Sequence, residues 1–448
     1  MASPPNIAER GMAVGLRALN RVASSDAIDR LGLRDPVVSL IHGATKTGAR
    51  TAATAGRSFA AGRAGLHLSR PARQPRARQS DLFDLTPSDE QALLRDSVGE
   101  FALAELRGAG LDADAGCAAP VELLTQANEL GLTMIGVPEE LGGAVAERSA
   151  TTTVLVSEAL AQGDMGIAVA CLAPAAVSTA ISLWGDGQQQ ATYLPEFVGE
   201  NVPAAALAIM EPRPLFDPFK LQTSARGSGG GYLLNGVKAL VPRAGDAEVF
   251  VIAADLEGNG PARPSLFIVE PKAGGISLEP DPGMGVRASG MQRVILEDVQ
   301  LPATALLGGA EREVYAECVA LSRLAWCALA VGTGQAALSY VTDYVKDRKA
   351  FGEPVSNRQA VAFAVANMAI ELDGLRLATY RAAARVDQGL PFHREVALAR
   401  RLCADRAMAI GSEGVQLLGG HGYVKEHPVE RWYRDLRAAG IMEGALLV

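Results

Sequence analysis

The first hydrophobic residues that recur with a helical period follow the sequence Pro-Ser-Asp-Glu at residues 87–90. A serine ahead of two acids is typical of a helix start, because such residues satisfy or neutralise the free N–H groups of the first turn. The apolar stripe behind this start consists of Leu93, Leu94, Val98 and Phe101. A helical region is therefore predicted to begin here, and Ala-rich helical segments extend it through Ser182.

From about residue 203 the pattern changes to short runs of β-branched and aromatic residues separated by turn residues. These runs read YLLNGVKALV, EVFVIAADL, PSLFIVEP and QRVILEDVQLP. Asn235-Gly236 inside the first run predicts a hairpin turn. The segment GSGGG at 227–231 precedes a strand instead of opening a helix, which favours a loop over a phosphate cradle. This part of the chain is predicted to form a β domain.

The helical period returns after Glu311 in three stripes. They are Val314, Cys318, Leu321, Ala325 and Ala328; Val361, Val365, Met368, Leu372 and Leu375; and Val396, Ala399, Cys403, Ala407 and Ile410. Small residues on these faces let helices approach closely, as in a bundle. The chain is therefore predicted to be mostly α with a central β domain. The predicted divisions are an extension at 1–80, an N-terminal helical domain at 81–204, a middle β domain at 205–308 and a C-terminal helical bundle at 309–448.

Composition narrows the class of protein. A chain of 448 residues with 48% hydrophobic content can bury a large core. Its five cysteines are far apart, with no CxxC pair and no His at metal-ligand spacing, so neither a disulfide framework nor a zinc site is predicted and a reducing cytoplasm fits. No stretch approaches eighteen uninterrupted apolar residues, so no membrane span is expected.

The extension at 1–80 differs from the rest in charge. It holds thirteen Lys and Arg against four Asp and Glu, a balance of +9, which leaves −17 for the remainder of a chain whose net charge is −8. An amphipathic helix is predicted near its start, with Ile7, Met12, Leu16 and Leu19 on one side and Arg10, Arg17 and Arg21 on another. Three interpretations are open: a flexible or partner-docked tail, a basic helix that touches a membrane peripherally, and a transit peptide. No nucleic-acid partner is expected.

One acid, Glu443, stands alone in the apolar run that ends the chain. If this run is packed, burial disfavours the charged carboxylate and raises its pKa, which suits a catalytic base. The alternative is a solvated acid near a frayed C-terminus.

Two blocks of residues resemble the acyl-CoA dehydrogenase family. The first consists of Gln416, Gly419-Gly420, Gly422-Tyr423, Pro428, Arg434-Asp435 and, eight residues after that Asp, Glu443-Gly444. The second is RKAFGEPVSNRQA, which begins at Arg348, 25 residues after Arg323. The resemblance extends from about residue 82 to the end of the chain.

The resemblance implies a fold and an activity. The fold is an N-terminal helical domain, a middle β-barrel or sandwich and a C-terminal four-helix bundle. The activity is FAD-dependent dehydrogenation of an acyl-CoA thioester to the trans-2-enoyl-CoA, in fatty acid or lipid catabolism, with electrons passed to an electron-transfer flavoprotein or similar acceptor. Glu443 would be the base for the α proton, and its backbone N–H and a flavin ribityl hydroxyl would hold the thioester oxygen.

The remaining family positions map onto both sides of a shared cofactor site. Arg323 would lie near the base. Arg348 and Phe351 would contact the FAD of a neighbouring subunit, and Gln416 and Gly420 would approach its adenine half. The resemblance thus implies a homo- or hetero-oligomer, a dimer or tetramer. The acyl tunnel is expected to include the apolar run from Ile167 to Val177.

Three stretches depart from the family pattern. Where the family has Thr-Glu-Pro-x-Ala-Gly-Ser-Asp beside the flavin, this chain has MEPRPLFD, beginning at Met210. Where it has Trp-x-Thr, this chain has Leu240 and Pro242, and Ala445 replaces a common Thr. These changes leave two alternatives open: a non-catalytic or half-competent subunit that completes the FAD site of a related chain, and an oxidase or monooxygenase on the same scaffold.

Overall fold

The computed structural model describes residues 85–143, 148–198, 201–258, 262–309 and 311–446. These residues belong to one compact unit, 83–448. The basic extension and its predicted amphipathic helix lie outside the described residues.

The N-terminal region is helical. Its helices are α1 Asp89–Phe101, α2 Arg107–Gly116, α3 Val121–Glu129, α4 Ala150–Gly163, α5 Met165–Trp184 and α6 Gly187–Val198. Ser88 and Gln91 form a reciprocal capping box at α1, which confirms the predicted helix start. The prediction is wrong for one residue of the apolar stripe: Leu93 is 73% exposed, whereas Val98 is buried. α1 packs along α4, and Leu93 lies on the exposed side of α1.

The middle region is a mixed β-sheet. Its strands are β1 Ala205–Ala208, β2 Ser224–Ser228, β3 Gly231–Val241, β4 Val249–Leu256, β5 Pro264–Val269, β6 Ile276–Pro280, β7 Gln292–Pro302 and β8 Leu306–Leu307. The order across the sheet is β6-β7-β3-β2-β4-β5-β8, and β1 pairs in parallel with β4.

The predicted hairpin turn at Asn235-Gly236 is wrong. β3 runs straight through these residues, with a shift in its pairing to β7 between Leu234 and Gly236. The turn lies instead at Gly229-Gly230, where both residues have positive φ, and β2 and β3 pair on either side of it. The loop prediction for GSGGG is therefore confirmed at Gly229-Gly230, whereas its other three residues belong to the ends of β2 and β3. Gly236 serves a close approach, since a Cβ there would lie 2.6 Å from the Cα of Thr223.

The C-terminal region returns to helices. They are α7 Arg312–Asp347, α8 Gln359–Asp387, α9 His393–Leu418, α10 Val429–Leu436 and α11 Ala438–Ile441, and a short hairpin of β9 Lys349–Ala350 and β10 Glu353–Pro354 connects α7 to α8. The third predicted stripe, on α9, is buried throughout. On α7, Leu321 and Ala325 are only partly buried, because they face a cavity.

Two of these helices, α5 and α7, are long and apolar enough to cross a membrane by length and composition alone. In the fold, 67% of the most apolar window of α5 and 61% of that of α7 are buried inside the protein. They are therefore packed as core helices.

Buried polar contacts attach α10 to the other regions. Arg431 pairs with Asp164, at the start of α5, at 2.9 Å, and both side chains are at most 5% exposed. The carboxylate of Asp435 accepts a hydrogen bond from the backbone N–H of Val286 at 2.6 Å. Burial, with the nearby charge of Asp164, raises the pKa of Asp435 to about 8. These contacts hold the C-terminal segment in place behind the cavity described next.

Candidate active site

Glu443 lies just past α11 in a left-handed backbone conformation, with φ of 58°. It is 6% exposed, so the acid is buried and the solvated alternative is wrong. Ser322 on α7 donates a hydrogen bond to Oε1 at 2.9 Å, while Oε2 has no hydrogen-bond partner among the described residues. Burial raises the pKa of Glu443, and the Ser322 hydrogen bond and the charges of Arg323 and Arg400 oppose this only in part.

Two arginines bind the backbone on both sides of Glu443. Arg323 donates from Nε at 3.1 Å and from Nη2 at 2.7 Å to the Glu443 carbonyl. Arg400 on α9 donates from Nη2 to the carbonyl of Met442 at 2.8 Å and also to the carbonyl of Gly444. Three consecutive carbonyl groups are thus bound by two cations. Arg400 was not among the site residues predicted from the sequence. A cation next to Ala399, a position of the predicted apolar stripe, could have indicated a buried charge.

The same loop contacts the segment that begins at Met210, one of those that depart from the pattern noted in the sequence. The backbone N–H of Ala445 donates to the carbonyl of Phe216 at 2.9 Å, and the hydroxyl of Tyr315 donates to the carbonyl of Pro218 at 2.7 Å. A Cβ at Gly444 would lie 2.6 Å from Cδ of Pro218. Gly444, at φ of 105°, is therefore required both for its conformation and for this close approach.

A cavity opens in front of Glu443, between α4, α5, α7 and the ends of β1 and β3. It encloses about 1290 Å³ of space, part of it open solvent. Met210, Leu240 and Pro242 line it together with Glu443. The predicted tunnel run from Ile167 to Val177 contributes Val169, Leu172, Ala173, Ala175 and Ala176.

A buried ion pair supports this wall of the cavity. Nζ of Lys238, on β3, lies 3.1 Å from Oε1 of Glu211, and the two side chains are 0% and 2% exposed. Glu211 also accepts hydrogen bonds from the backbone N–H groups of Gln222 and Thr223. Burial lowers the pKa of Lys238 to about 8, against the opposing pull of the Glu211 carboxylate. The sequence analysis did not find this pair.

Four predicted site residues lie elsewhere, at the end of the helical bundle where α7 and α9 finish. Arg348, Phe351, Gln416 and Gly420 are all exposed, and Phe351 is 96% exposed at φ of 57°. At this end the hydroxyl of Tyr344, on α7, forms a 2.8 Å hydrogen bond with Nδ1 of His421, which follows α9. The structure therefore separates the predicted residues into a group at the cavity and a group on an open surface.

Comparison with known proteins assigns the family. The N-terminal, middle and C-terminal domain models of acyl-CoA dehydrogenase match residues 88–201, 206–299 and 312–446. The chain belongs to the acyl-CoA dehydrogenase family. It is 32% identical over 362 residues to the mitochondrial short-chain specific acyl-CoA dehydrogenase of Mus musculus, which covers 79% of this chain and 86% of that protein.

Solved structures share this acyl-CoA dehydrogenase fold. Butyryl-CoA dehydrogenase from Megasphaera elsdenii superposes with a TM-score of 0.76 at 28% identity, over 82% of this chain and 97% of that one. A chain in the structure of the electron transferring flavoprotein of Acidaminococcus fermentans gives the same values. PigA with FAD and proline gives a TM-score of 0.75 at 26% identity, over 81% and 96%.

The family depends on FAD, and the residues present fit a flavin ring. Met210, Leu240 and Pro242 give the cavity apolar walls beside the unpartnered Oε2 of Glu443. None of the three carries a hydroxyl, and the backbone N–H of Leu240 already donates to Asp281 at 3.1 Å. These three residues would therefore hold the flavin ring by shape and apolar contact more than by side-chain hydrogen bonds.

Proposed function

We propose that this acyl-CoA dehydrogenase converts an acyl-CoA thioester to the trans-2-enoyl-CoA, with Glu443 as the base that removes the α proton. The observation that carries the proposal is the buried carboxyl group of Glu443: the residue lines the cavity, and its Oε2 has no hydrogen-bond partner among the described residues. A carboxylate kept from water is more basic, which suits the removal of a weakly acidic C–H proton.

Supporting roles are proposed for the groups around that base. Ser322 orients the carboxyl group through Oε1, and Arg323 holds the Glu443 carbonyl. The backbone N–H of Glu443 is the proposed donor to the thioester oxygen, on which negative charge develops as the proton leaves. When bound, FAD supplies the hydride acceptor that no side chain can offer.

The cofactor is proposed to lie between two subunits. Met210, Leu240, Pro242 and Ala445 would border it within one chain, and Arg348, Phe351, Gln416 and Gly420 would reach the FAD of a neighbour. Support comes from the exposure of this second group, since an almost fully exposed Phe351 has apolar surface left to bury. Size measurement tests this: a dimer or tetramer is expected, and a monomer that holds a full complement of FAD would contradict it.

An electron-transfer flavoprotein is the proposed electron acceptor, and fatty acid or lipid catabolism the proposed setting. The support is the similarity to a chain in the Acidaminococcus fermentans electron transferring flavoprotein structure and to butyryl-CoA dehydrogenase. Electron transfer to such a flavoprotein, rather than oxygen consumption, is expected to sustain turnover; oxygen-dependent turnover would favour the oxidase or monooxygenase alternative.

The decisive experiment is Glu443→Gln, assayed with acyl-CoA and an electron-accepting dye. Loss of the base should lower kcat by roughly 10²–10⁴-fold, while flavin absorbance and oligomeric state are kept. Glu413→Gln, at an exposed position on α9, is the matched control and should behave as wild type. Undiminished turnover in Glu443→Gln would exclude Glu443 as the base.

One observation favours a second candidate, a subunit that completes the FAD site of a related chain. The ring-facing positions Met210, Leu240 and Pro242 offer no hydroxyl, while the exposed Arg348 and Gln416 keep the family's residues. This candidate predicts colourless protein that becomes yellow and active only after co-expression with a related chain. A stoichiometric flavin spectrum from the protein alone would exclude it.

The basic extension is proposed to place a cytoplasmic enzyme at an anionic membrane surface. Each Lys or Arg near such a surface contributes about 1 kcal/mol, reduced by salt. Deletion of residues 1–80 should abolish salt-sensitive binding to anionic vesicles and leave a folded, flavin-binding protein. Loss of the oligomer on deletion would assign the extension to subunit packing instead.

A further inference from the structure

Arg148 is a second polar residue of the cavity, and the proposed function assigns it no role. The ligand inferred for it rests on that proposed function. Arg148 immediately precedes α4 and lines the cavity beside Ala150 and Thr153 of the first turn of α4 and Trp184 at the end of α5. Among the described residues of the lining, it is the only cation. Ala176, also in the lining, is exposed, so the cavity opens to solvent along α5.

The guanidinium of Arg148 is partly buried and forms no hydrogen bond or ion pair with any residue that the structure describes. Asp387 and Glu317 are the acids whose charges act on Arg148. Both accept hydrogen bonds from other groups. Asp387 accepts hydrogen bonds from Ser149 Oγ at 2.9 Å, Ala150 N at 2.6 Å and Thr151 N at 3.0 Å. Glu317 accepts one from Trp184 Nε1 at 3.4 Å.

This arrangement leaves the guanidinium available to a ligand. Burial lowers the pKa of Arg148, and Asp387 and Glu317 only partly compensate. A guanidinium has five N–H donors in a planar fork, and none of those of Arg148 is a fully buried atom without a partner, so water reaches them. An oxyanion that accepts two parallel N–H···O bonds would replace this water with charge-assisted hydrogen bonds.

We propose that Arg148 binds an anionic group of the thioester substrate at the mouth of the cavity. The ligand chemistry is a phosphate or carboxylate oxyanion. It belongs either to a phosphate of the CoA carrier or to a carboxylate at the far end of the acyl group. The cavity wall also includes Ala150, Val154, Leu321 and Leu324, and apart from Glu443 its other polar side chains, such as Thr153, are uncharged, so the single positive charge of Arg148 would select the anionic group.

Binding measurements with four ligands test this assignment. They are a short-chain acyl-CoA, the matching acyl N-acetylcysteamine thioester, which lacks phosphate, and the ω-carboxyacyl form of each. Dissociation constants are measured by titration of the Glu443→Gln protein, so that no turnover interferes. In that background, Arg148→Gln should weaken binding about tenfold or more for the ligands that carry the relevant anion.

Arg148→Lys keeps the charge and should lose less than Arg148→Gln, which separates charge recognition from damage to the fold. Arg394→Gln, at an exposed arginine on α9 outside the cavity, is the matched control and should change nothing. A loss seen with both CoA ligands but not with the N-acetylcysteamine pair assigns the phosphate. A loss confined to the ω-carboxyacyl ligands assigns the acyl carboxylate.

Equal affinity of Arg148→Gln and its parent for all four ligands would overturn the inference. Failure of the proposed function is distinguishable from this. Wild-type protein that binds the thioesters without dehydrogenating them would refute the proposed reaction and leave the role of Arg148 standing. Wild-type protein that binds none of the four would refute both.

Discussion

Arg400→Met is predicted to damage catalysis without touching the substrate. Arg400 is 4% exposed and donates to the carbonyls of Met442 and Gly444 on either side of the base. Hydrogen bonds from a charged donor contribute about 1.5–3 kcal/mol each, so their loss costs roughly 3–6 kcal/mol before compensation. Burial lowers the pKa of Arg400 to about 10. Relief of that burial returns on the order of 3 kcal/mol.

The expected net loss is therefore about 0–3 kcal/mol of unfolding free energy, a range in which the protein stays folded. The larger effect is on kcat, since a shift of the base by about 1 Å costs on the order of 10²-fold. The charge of Arg400 also lowers the pKa of Glu443, so its removal raises that pKa further. Because Glu443 acts only when ionised, the acid limb of kcat/KM should move to higher pH.

The assay is the pH profile of kcat/KM, together with urea unfolding. Arg400→Lys should keep the acid limb near its wild-type position, because the charge remains, but lose kcat, because the shorter lysine side chain ends before the position from which Nη2 donates to the two carbonyls. Arg401→Met, which removes only the surface pair with Asp405, is the matched control and should cost at most about 0.5 kcal/mol. An unchanged kcat and acid limb in Arg400→Met would refute this reasoning.

Three further predictions concern residues around the same core. Lys238→Met removes the nearest cation from the buried Glu211 carboxylate, which keeps its backbone hydrogen bonds and Arg213 at 3.8 Å, so the unfolding free energy should fall by about 3 kcal/mol, the low end for a broken buried pair; Glu211→Gln in the same chain should restore part of it in urea titrations, and strict additivity would argue against the pair. Because the folded pKa of Asp435 is about 8, the folded protein retains a proton that the unfolded chain loses near pH 4, so its contribution to stability falls as pH rises between these values. Asp435→Asn should therefore gain stability relative to wild type from pH 5 to pH 8.5, and parallel denaturation curves would contradict this. Gly444→Ala should reduce kcat by about 10²-fold by pushing the loop off Pro218, and wild-type kcat would show that the loop adapts.

The elements of the fold that were predicted correctly follow mostly from local sequence patterns. The capped start at Ser88, the buried stripe of α9 and the strand runs of the middle region depend on spacing along the chain, which a sequence displays directly. The error at Asn235-Gly236 shows where such reasoning stops. Two adjacent glycine-containing segments could each form a turn, and pairing with β7 and the approach of Thr223 assigned the turn to Gly229-Gly230.

The candidate site likewise has a part that the sequence predicts and a part that only the tertiary structure determines. An acid in an apolar run, in register with Arg323, was visible in the sequence, because the spacing of Glu443 from the preceding Gly and Asp residues needs no knowledge of packing. The clamp of Arg400, the burial of Lys238 against Glu211 and the place of Arg148 in the cavity were decided by tertiary structure. Each depends on side chains from separate elements, and the cost of burying a charge is set by whichever groups the fold brings around it. Sequence periodicity specifies which face of an element is buried, whereas the partner that a buried charge meets is determined only when those faces come together.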